Sequence, residues 1–157
     1  MRSKERGFSE VKTKKTIRIK YHSQQIDKLD YIAGKSDWID LRAAEEVVLK
    51  EGSFHLVDLG VSGQLPEGYE RLIAARSSTF KNYGLIQTNA VGIVDESYCA
   101  DEDHLMWPCY ATRDTVIHVN DRICQFRIIE HQPVISFEEV ETLGNQARGG
   151  FGSTGIV

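Results

Sequence analysis

Thr115-Val116-Ile117-His118-Val119-Asn120-Asp121-Arg122-Ile123-Cys124-Gln125-Phe126-Arg127-Ile128-Ile129 decides the fold. Val116 to Val119 and Ile123 to Ile129 are rich in β-branched residues, which are stiff at χ1 and pack well on a pleated surface. Asn120-Asp121 separates them with turn chemistry. The stretch therefore predicts two short strands joined by a tight turn. The same pattern recurs outward. Ile17, Ile19 and Tyr21 alternate with polar residues, and Phe54 to Leu59 forms another short extended run. Val134 to Val140 is again β-branched and predicts a last strand. Gly60, Gly63, Pro66-Glu67-Gly68 and Gln132-Pro133 punctuate the runs. Many short strands at this spacing predict an all-β sandwich, jelly roll or barrel.

A single short helix interrupts. Ser77-Ser78-Thr79-Phe80-Lys81-Asn82-Tyr83 stops at Gly84, the residue type expected just past a helix C-terminus. Ser77 and Ser78 are able to cap its free N–H groups. Residues 22–34 fit either a second short helix or an irregular loop.

The chain has 157 residues, 41% hydrophobic and 27% charged, which fits one globular domain of ordinary composition. No apolar run approaches the ~18 residues of a membrane span, and the charged N-terminus does not read as a secretory signal. Three cysteines at unhelpful spacings give no disulfide framework and suit a reducing cytoplasm. Charge is uneven. Residues 1–20 hold eight Lys/Arg and two Asp/Glu, whereas the remainder holds eleven against twenty-one. The acidic body argues against non-specific nucleic-acid binding and suits a site that holds Mg²⁺ through carboxylates. The basic start reads as a solvated, flexible extension over residues 1–15 or as a touching point for nucleic acid or an acidic partner.

Several segments carry candidate chemistry. Arg76-Ser77-Ser78 opens the short helix, where N–H donors and a guanidinium suit phosphate or simply cap the helix. Thr88 to Tyr98 reads as a β-hairpin with Asp95 at its exit, a carboxylate placed either to deprotonate a water or to close a turn. Tyr98 would offer a flat face to a sugar. Asp40 lies between apolar Ile39 and Leu41. Asp121, Ile123 and Gln125 would share one strand face, with Gln125 donating to a phosphate oxygen. Arg148-Gly149-Gly150-Phe151-Gly152-Ser153-Thr154-Gly155 combines pliable backbone, hydroxyls, a guanidinium and one ring. It suits wrapping a polyphosphate and stacking on a base, but it is no Walker A loop, because no Lys precedes Ser153-Thr154. Cys99, His104 and Cys109 match no zinc spacing, and there is no G-x-S-x-G elbow.

Taken in order, five of these segments resemble the homotrimeric dUTPase family of deoxyuridine 5′-triphosphate nucleotidohydrolases. They are Asp40-Leu41-Arg42-Ala43, Arg76-Ser77-Ser78, Gly92-Ile93-Val94-Asp95 with Tyr98, Asp121-Arg122-Ile123 with Gln125, and Arg148 with Gly150 to Gly155. The stretches RSSTFKNYGLIQTN and DESYCAD look most like members from Gram-positive bacteria and their phages. The resemblance implies a jelly-roll-like all-β fold with one short helix, a β-rich domain over residues 16–143 and a flexible Gly-rich arm over residues 144–157. It implies a cytoplasmic homotrimer with shared active sites, which hydrolyses dUTP to dUMP and pyrophosphate with Mg²⁺. By matching position, Asp95 is the general base. Asn89, Gly92 and their hairpin backbone read uracil, and Tyr98 rejects a 2′-hydroxyl. Arg76, Ser77, Ser78 and Gln125 hold phosphates, and Asp40 anchors Mg²⁺ through water. Arg148, Gly152, Ser153 and Thr154 clasp the outer phosphates while Phe151 covers the base. Two alternatives stand beside it: a dCTP deaminase of the related family, and a phage-type dUTPase that also binds a repressor or other protein.

Overall fold

The computed structural model describes residues 13–152 and 154–155. Its central strand is the one the opening stretch predicts. Counting strands along the chain, β11 (Arg122–Glu130) lies between β2 (Ile39–Arg42) and β6 (Tyr69–Ala75), and β8 (Gly92–Val94) adds to the far edge of β6. A second sheet contains β4 (Phe54–Asp58), β9 (Met106–Ala111) and β7 (Leu85–Gln87) in that order. Two antiparallel pairs complete the jelly roll. One joins β1 (Arg18–Tyr21) to β5 (Val61–Gln64), the other β3 (Val47–Leu49) to β10 (Thr115–Ile117).

Alternation explains the packing. Leu41, Val57, Leu59, Trp107, Ile117, Ile123 and Cys124 are fully buried and fill the space between the layers. One polar chain crosses this core. The Trp107 indole N–H donates to Gln87 Oε1 at 2.6 Å, and Gln87 Nε2 donates to the Ile73 carbonyl at 2.9 Å. The link joins the two main sheets and leaves no buried partner of the indole unpaired.

Helix α1 (Thr79–Tyr83) ends as expected. Gly84 adopts φ 65°, and its N–H bonds the Phe80 carbonyl at 2.7 Å. A Cβ there would meet Arg113 Cγ at 2.8 Å. The helix start differs from expectation, because Ser78 stands at the N-cap without a side-chain cap bond. Thr79 Oγ1 instead fixes the approach to the helix, accepting from the Arg76 N–H at 3.0 Å and donating to the Ile123 carbonyl at 2.8 Å. Residues 22–34 form a loop pinned by buried Ile26 and by the Leu29 N–H on Tyr21 Oη.

Two further expectations are overturned. The expected hairpin turns through Thr88 to Val91, but its arms do not pair. β7 joins β9 in one sheet and β8 joins β6 in the other, so the turn bridges two layers. The expected strand over Val134 to Val140 is absent, and among the described residues strand structure ends at Glu130. Val134 and Phe137 are almost wholly exposed. β-branched residues form a strand only beside another strand, and the folded chain offers none there.

Candidate active site

Three expected site residues converge at the Ala75 end of β6. In register, Asp40 lies opposite Gln125, and Gln125 opposite Ala74. Asp40 Oδ1 accepts from Arg76 Nε at 3.0 Å, and Asp40 Oδ2 accepts from Arg122 Nη1 at 3.2 Å. The Asp40 side chain is only 13% exposed, so these two forks are its main neutralisation. Arg76 also donates to the Arg122 carbonyl, and Gln125 Nε2 donates to the Ala75 carbonyl at 3.1 Å. Ser77 is exposed beside Arg76, and Ser78 is half-buried. Burial, then the adjacent Asp121 carboxylate, push the Tyr83 phenol behind this cluster up to about 12, so it stays protonated.

Arg122 belongs to this cluster although sequence reasoning gave it no role. The cause is a β-bulge. Arg122 pairs with Arg42 and Cys124 with Leu41, which leaves Ile123 as the extra residue. The bulge overturns the expected common face of Asp121, Ile123 and Gln125. Ile123 turns into the core, and Arg122, Gln125 and Asp40 come to one face. Two guanidiniums, an amide and exposed hydroxyls converging at one edge make a cradle for phosphate oxygens. The sequence signal was present, since Arg122 sits within a quoted motif, but a bulge is not visible in periodicity.

Asp95 and Tyr98 lie elsewhere. Val94 pairs with Arg71, so Asp95 stands level with Glu70 at the opposite end of β6. Arg76 is six positions further along that strand, or roughly 20 Å at the rise of a strand. That is too far for Asp95 and Arg76 of one chain to act on one phosphoryl group. Asp95 is solvent-exposed and accepts the Ser97 N–H at 2.8 Å. Hydrogen bonds from the Ser97 side chain and backbone hold its carboxyl below the usual carboxylate range. It is therefore ionised throughout the neutral range. Tyr98 Oη donates to the His104 carbonyl at 2.8 Å, which fixes the ring. Burial, then the charges of Asp103 and Asp58, raise its phenol, which stays a donor.

Between the two ends lies the Thr88–Val91 turn. Asn89 is exposed there, with its amide nitrogen 3.5 Å from where a Gly92 Cβ would stand. Such a Cβ would also press on Ile73 Cβ at 3.2 Å, which explains the glycine in this close approach. The C-terminal segment stands apart from both ends. Arg148, Phe151, Gly152 and Thr154 are exposed, and Arg148 makes no ion pair among the described residues. Ser153 lies outside the described residues.

Metal binding has a narrow basis. Among the described residues, no group of three or more His, Cys, Asp or Glu side chains is placed to hold an ion. Asp40 is a single carboxylate with each oxygen already engaged. This donor set does not fit a resident, protein-caged Mg²⁺. It suits an ion carried in on phosphate oxygens, since Mg²⁺ keeps several waters and needs few carboxylates.

The sequence model of the dUTPase family matches residues 33–155, which span every segment placed above. The chain belongs to the dUTPase family. Among curated dUTPases, it is 52% identical over 139 residues to the SPbeta prophage-derived deoxyuridine 5′-triphosphate nucleotidohydrolase of Bacillus subtilis, covering 88% of this chain and 97% of that one. The enzyme of that name from Anaplasma marginale is 36% identical over 129 residues, covering 80% and 86%. Solved dUTPases share the fold. A Staphylococcus bacteriophage 80alpha variant with dUpNHpp superposes with a TM-score of 0.71 at 20% identity, over 90% of this chain and 99% of that one. A mutant dUTPase from phage phi11 of S. aureus gives a TM-score of 0.70 at 17% identity, over 82% and 98%, and coordinates a structural Mg(II) ion. These dUTPase neighbours bear out the jelly-roll fold with one short helix.

Proposed function

We propose that this chain hydrolyses dUTP to dUMP and pyrophosphate by water attack on the α-phosphorus, within sites shared between subunits of a homotrimer. The observation that carries the shared site is the separation along β6. The cradle of Arg76, Arg122, Ser77 and Gln125 lies at one end, and Asp95 at the other. One chain holds both parts but not within reach of each other, so a working site combines the cradle of one subunit with Asp95 of another. The exposed apolar arm beyond Glu130, with Val134, Phe137 and Leu143 bare, supports the assembly.

In this scheme Asp95, held ionised by Ser97, takes a proton from the attacking water. Arg76 and Arg122, kept in place by Asp40, neutralise phosphate oxygens as charge develops. Asn89 and the Gly92 backbone read the uracil edge, and Tyr98 covers the deoxyribose. Arg148, Ser153 and Thr154 clasp the outer phosphates and Phe151 covers the base, which excludes water. Mg²⁺ enters with the triphosphate and neutralises its charge, with Asp40 reaching it only through water. The 52% identity to a nucleotidohydrolase supports the substrate.

Pyrophosphate release from dUTP, dTTP, dCTP and UTP, measured side by side, tests the reading. Release from dUTP alone is expected. Ammonia release from dCTP would replace it with the deaminase reading. A protein-binding role in addition has one support: the phage 80alpha neighbours, dUTPases that control transfer of virulence genes. For this chain, the 22–34 loop with exposed Tyr31 would be the contact surface. Binding of a candidate repressor that survives in Asp95→Asn protein and is lost on altering that loop would establish it.

A further inference from the structure

A cluster of side chains behind Tyr98 takes no part in the scheme above. His104, whose carbonyl receives the Tyr98 hydroxyl, places its ring Nδ1 3.0 Å from Asp58 Oδ2. Asp58 is itself fixed, because its Oδ1 accepts the Gly60 N–H at 2.7 Å. The ring of His22 lies flat on the His104 ring, with centroids 3.7 Å apart and planes 15° apart. His22 Nε2 is 2.8 Å from Ser62 Oγ, and that hydroxyl donates to the Asp101 carbonyl at 2.9 Å.

The proton directions follow. Ser62 gives its only proton to Asp101, so Oγ accepts from His22 Nε2–H. The hydroxyl is therefore no nucleophile. Nor is the carboxylate placed for a triad, since Asp58 meets His104 and not His22. What the cluster does is hold a loop. Residues 98–104 are tied through Asp101 to β5 and through the His104 ring to Asp58 at the end of β4. His22, just past β1, stacks over the tie.

We infer that the stacked His22–His104 pair positions Tyr98 and thereby sets how strictly the pocket rejects a 2′-hydroxyl. This rests on the assignment of Tyr98 to the sugar. Lys20 pairs with Asp101 at 2.8 Å and Asp58 holds the His104 ring, so the loop that ends at His104 is tied to β1, β4 and β5 at once.

The test compares kcat/KM for UTP and dUTP in the parent, H22A, H22F and Y98A. H22A, which removes the stacked ring, should raise the UTP/dUTP ratio roughly threefold or more. H22F, whose ring still stacks on His104, should keep the parent's ratio. If H22A and the parent coincide while Y98A shows a raised ratio, Tyr98 reads the sugar without the pair, and the inference is overturned. If Y98A leaves the ratio unmoved, the sugar assignment itself falls and takes this inference with it. H22F keeps the test open should H22A fail to fold: an H22F ratio as high as that of Y98A would equally overturn the stacking role.

Discussion

The two ends of β6 differ in how finished they are. At the Arg76 end the charged groups and the amide have partners from the same chain: Asp40 bridges two guanidiniums, Gln125 is pinned to Ala75, and the Asp40 side chain is nearly out of water. At the Asp95 end the carboxylate is bare to solvent and, among the described residues, accepts hydrogen bonds from Ser97 alone. The difference shows which half of the chemistry folding alone supplies. Phosphate binding needs fixed charge, which one chain can preorganise. Water activation needs a dry, closed site, which this chain leaves to another surface.

The largest effect expected comes from joining the ends across subunits. Asp95→Asn keeps shape and loses the base, so turnover should fall by about 10²-fold or more while dUTP binding persists. A chain cut after Arg148 should also turn over slowly. If the shared-site scheme holds, co-refolding the two in equal amounts restores activity, because roughly a quarter of random sites would combine an intact Asp95 with an intact arm from a different chain. Verified hybrids that stay dead would show that each chain closes its own site.

Next comes the finished end. Asp40→Asn leaves Arg76 and Arg122 facing each other without the carboxylate between them. Urea unfolding should show a loss of about 2 kcal/mol. The KM for dUTP should rise more than kcat falls, since positioning is lost and the base is not. An unchanged midpoint would mean the cradle is less preorganised than its geometry says.

The smallest effect expected lies one position in from the Asp95 end of the strand. Arg71 is buried with Nε and Nη1 unpartnered among the described residues, its guanidinium over the Phe126 ring, and burial lowers its pKa to about 10. The charged form is disfavoured in the folded state, so its cost is fully present below about pH 10 and fades as pH rises toward the unfolded value. Arg71→Met should therefore stabilise the fold by about 1 kcal/mol, a Tm rise of a few degrees. That gain should shrink above about pH 10. A lower Tm would mean that Arg71 has a partner in the assembly.

Much of this was legible in the sequence, and the failures share a cause. β11, the Gly84 stop and the placing of Asp95 at a strand exit all follow from neighbours in sequence. What failed depends on distant pairing. Val134 to Val140 has strand residues but no strand beside it. The arms around Asn89 alternate as a hairpin should, yet each finds a different sheet. Arg122 reaches Asp40 because one extra residue, Ile123, is accommodated against β2, and periodicity assumes no such slip. The His22–His104 stack joins residues 82 positions apart, which no local pattern announces.

The cysteines have a practical consequence. Cys109 and Cys124 are buried, with burial pushing the first thiol up to about 11 and the second well above its ordinary range, so neither forms thiolate readily. Cys99 is the one exposed thiol, and it follows Tyr98 directly. The unaltered protein thus contains its own attachment point for a maleimide dye or a nitroxide, one residue from the ring assigned to the sugar. Environment-sensitive fluorescence from that point would report loop order and ligand arrival in real time, without a single engineered substitution.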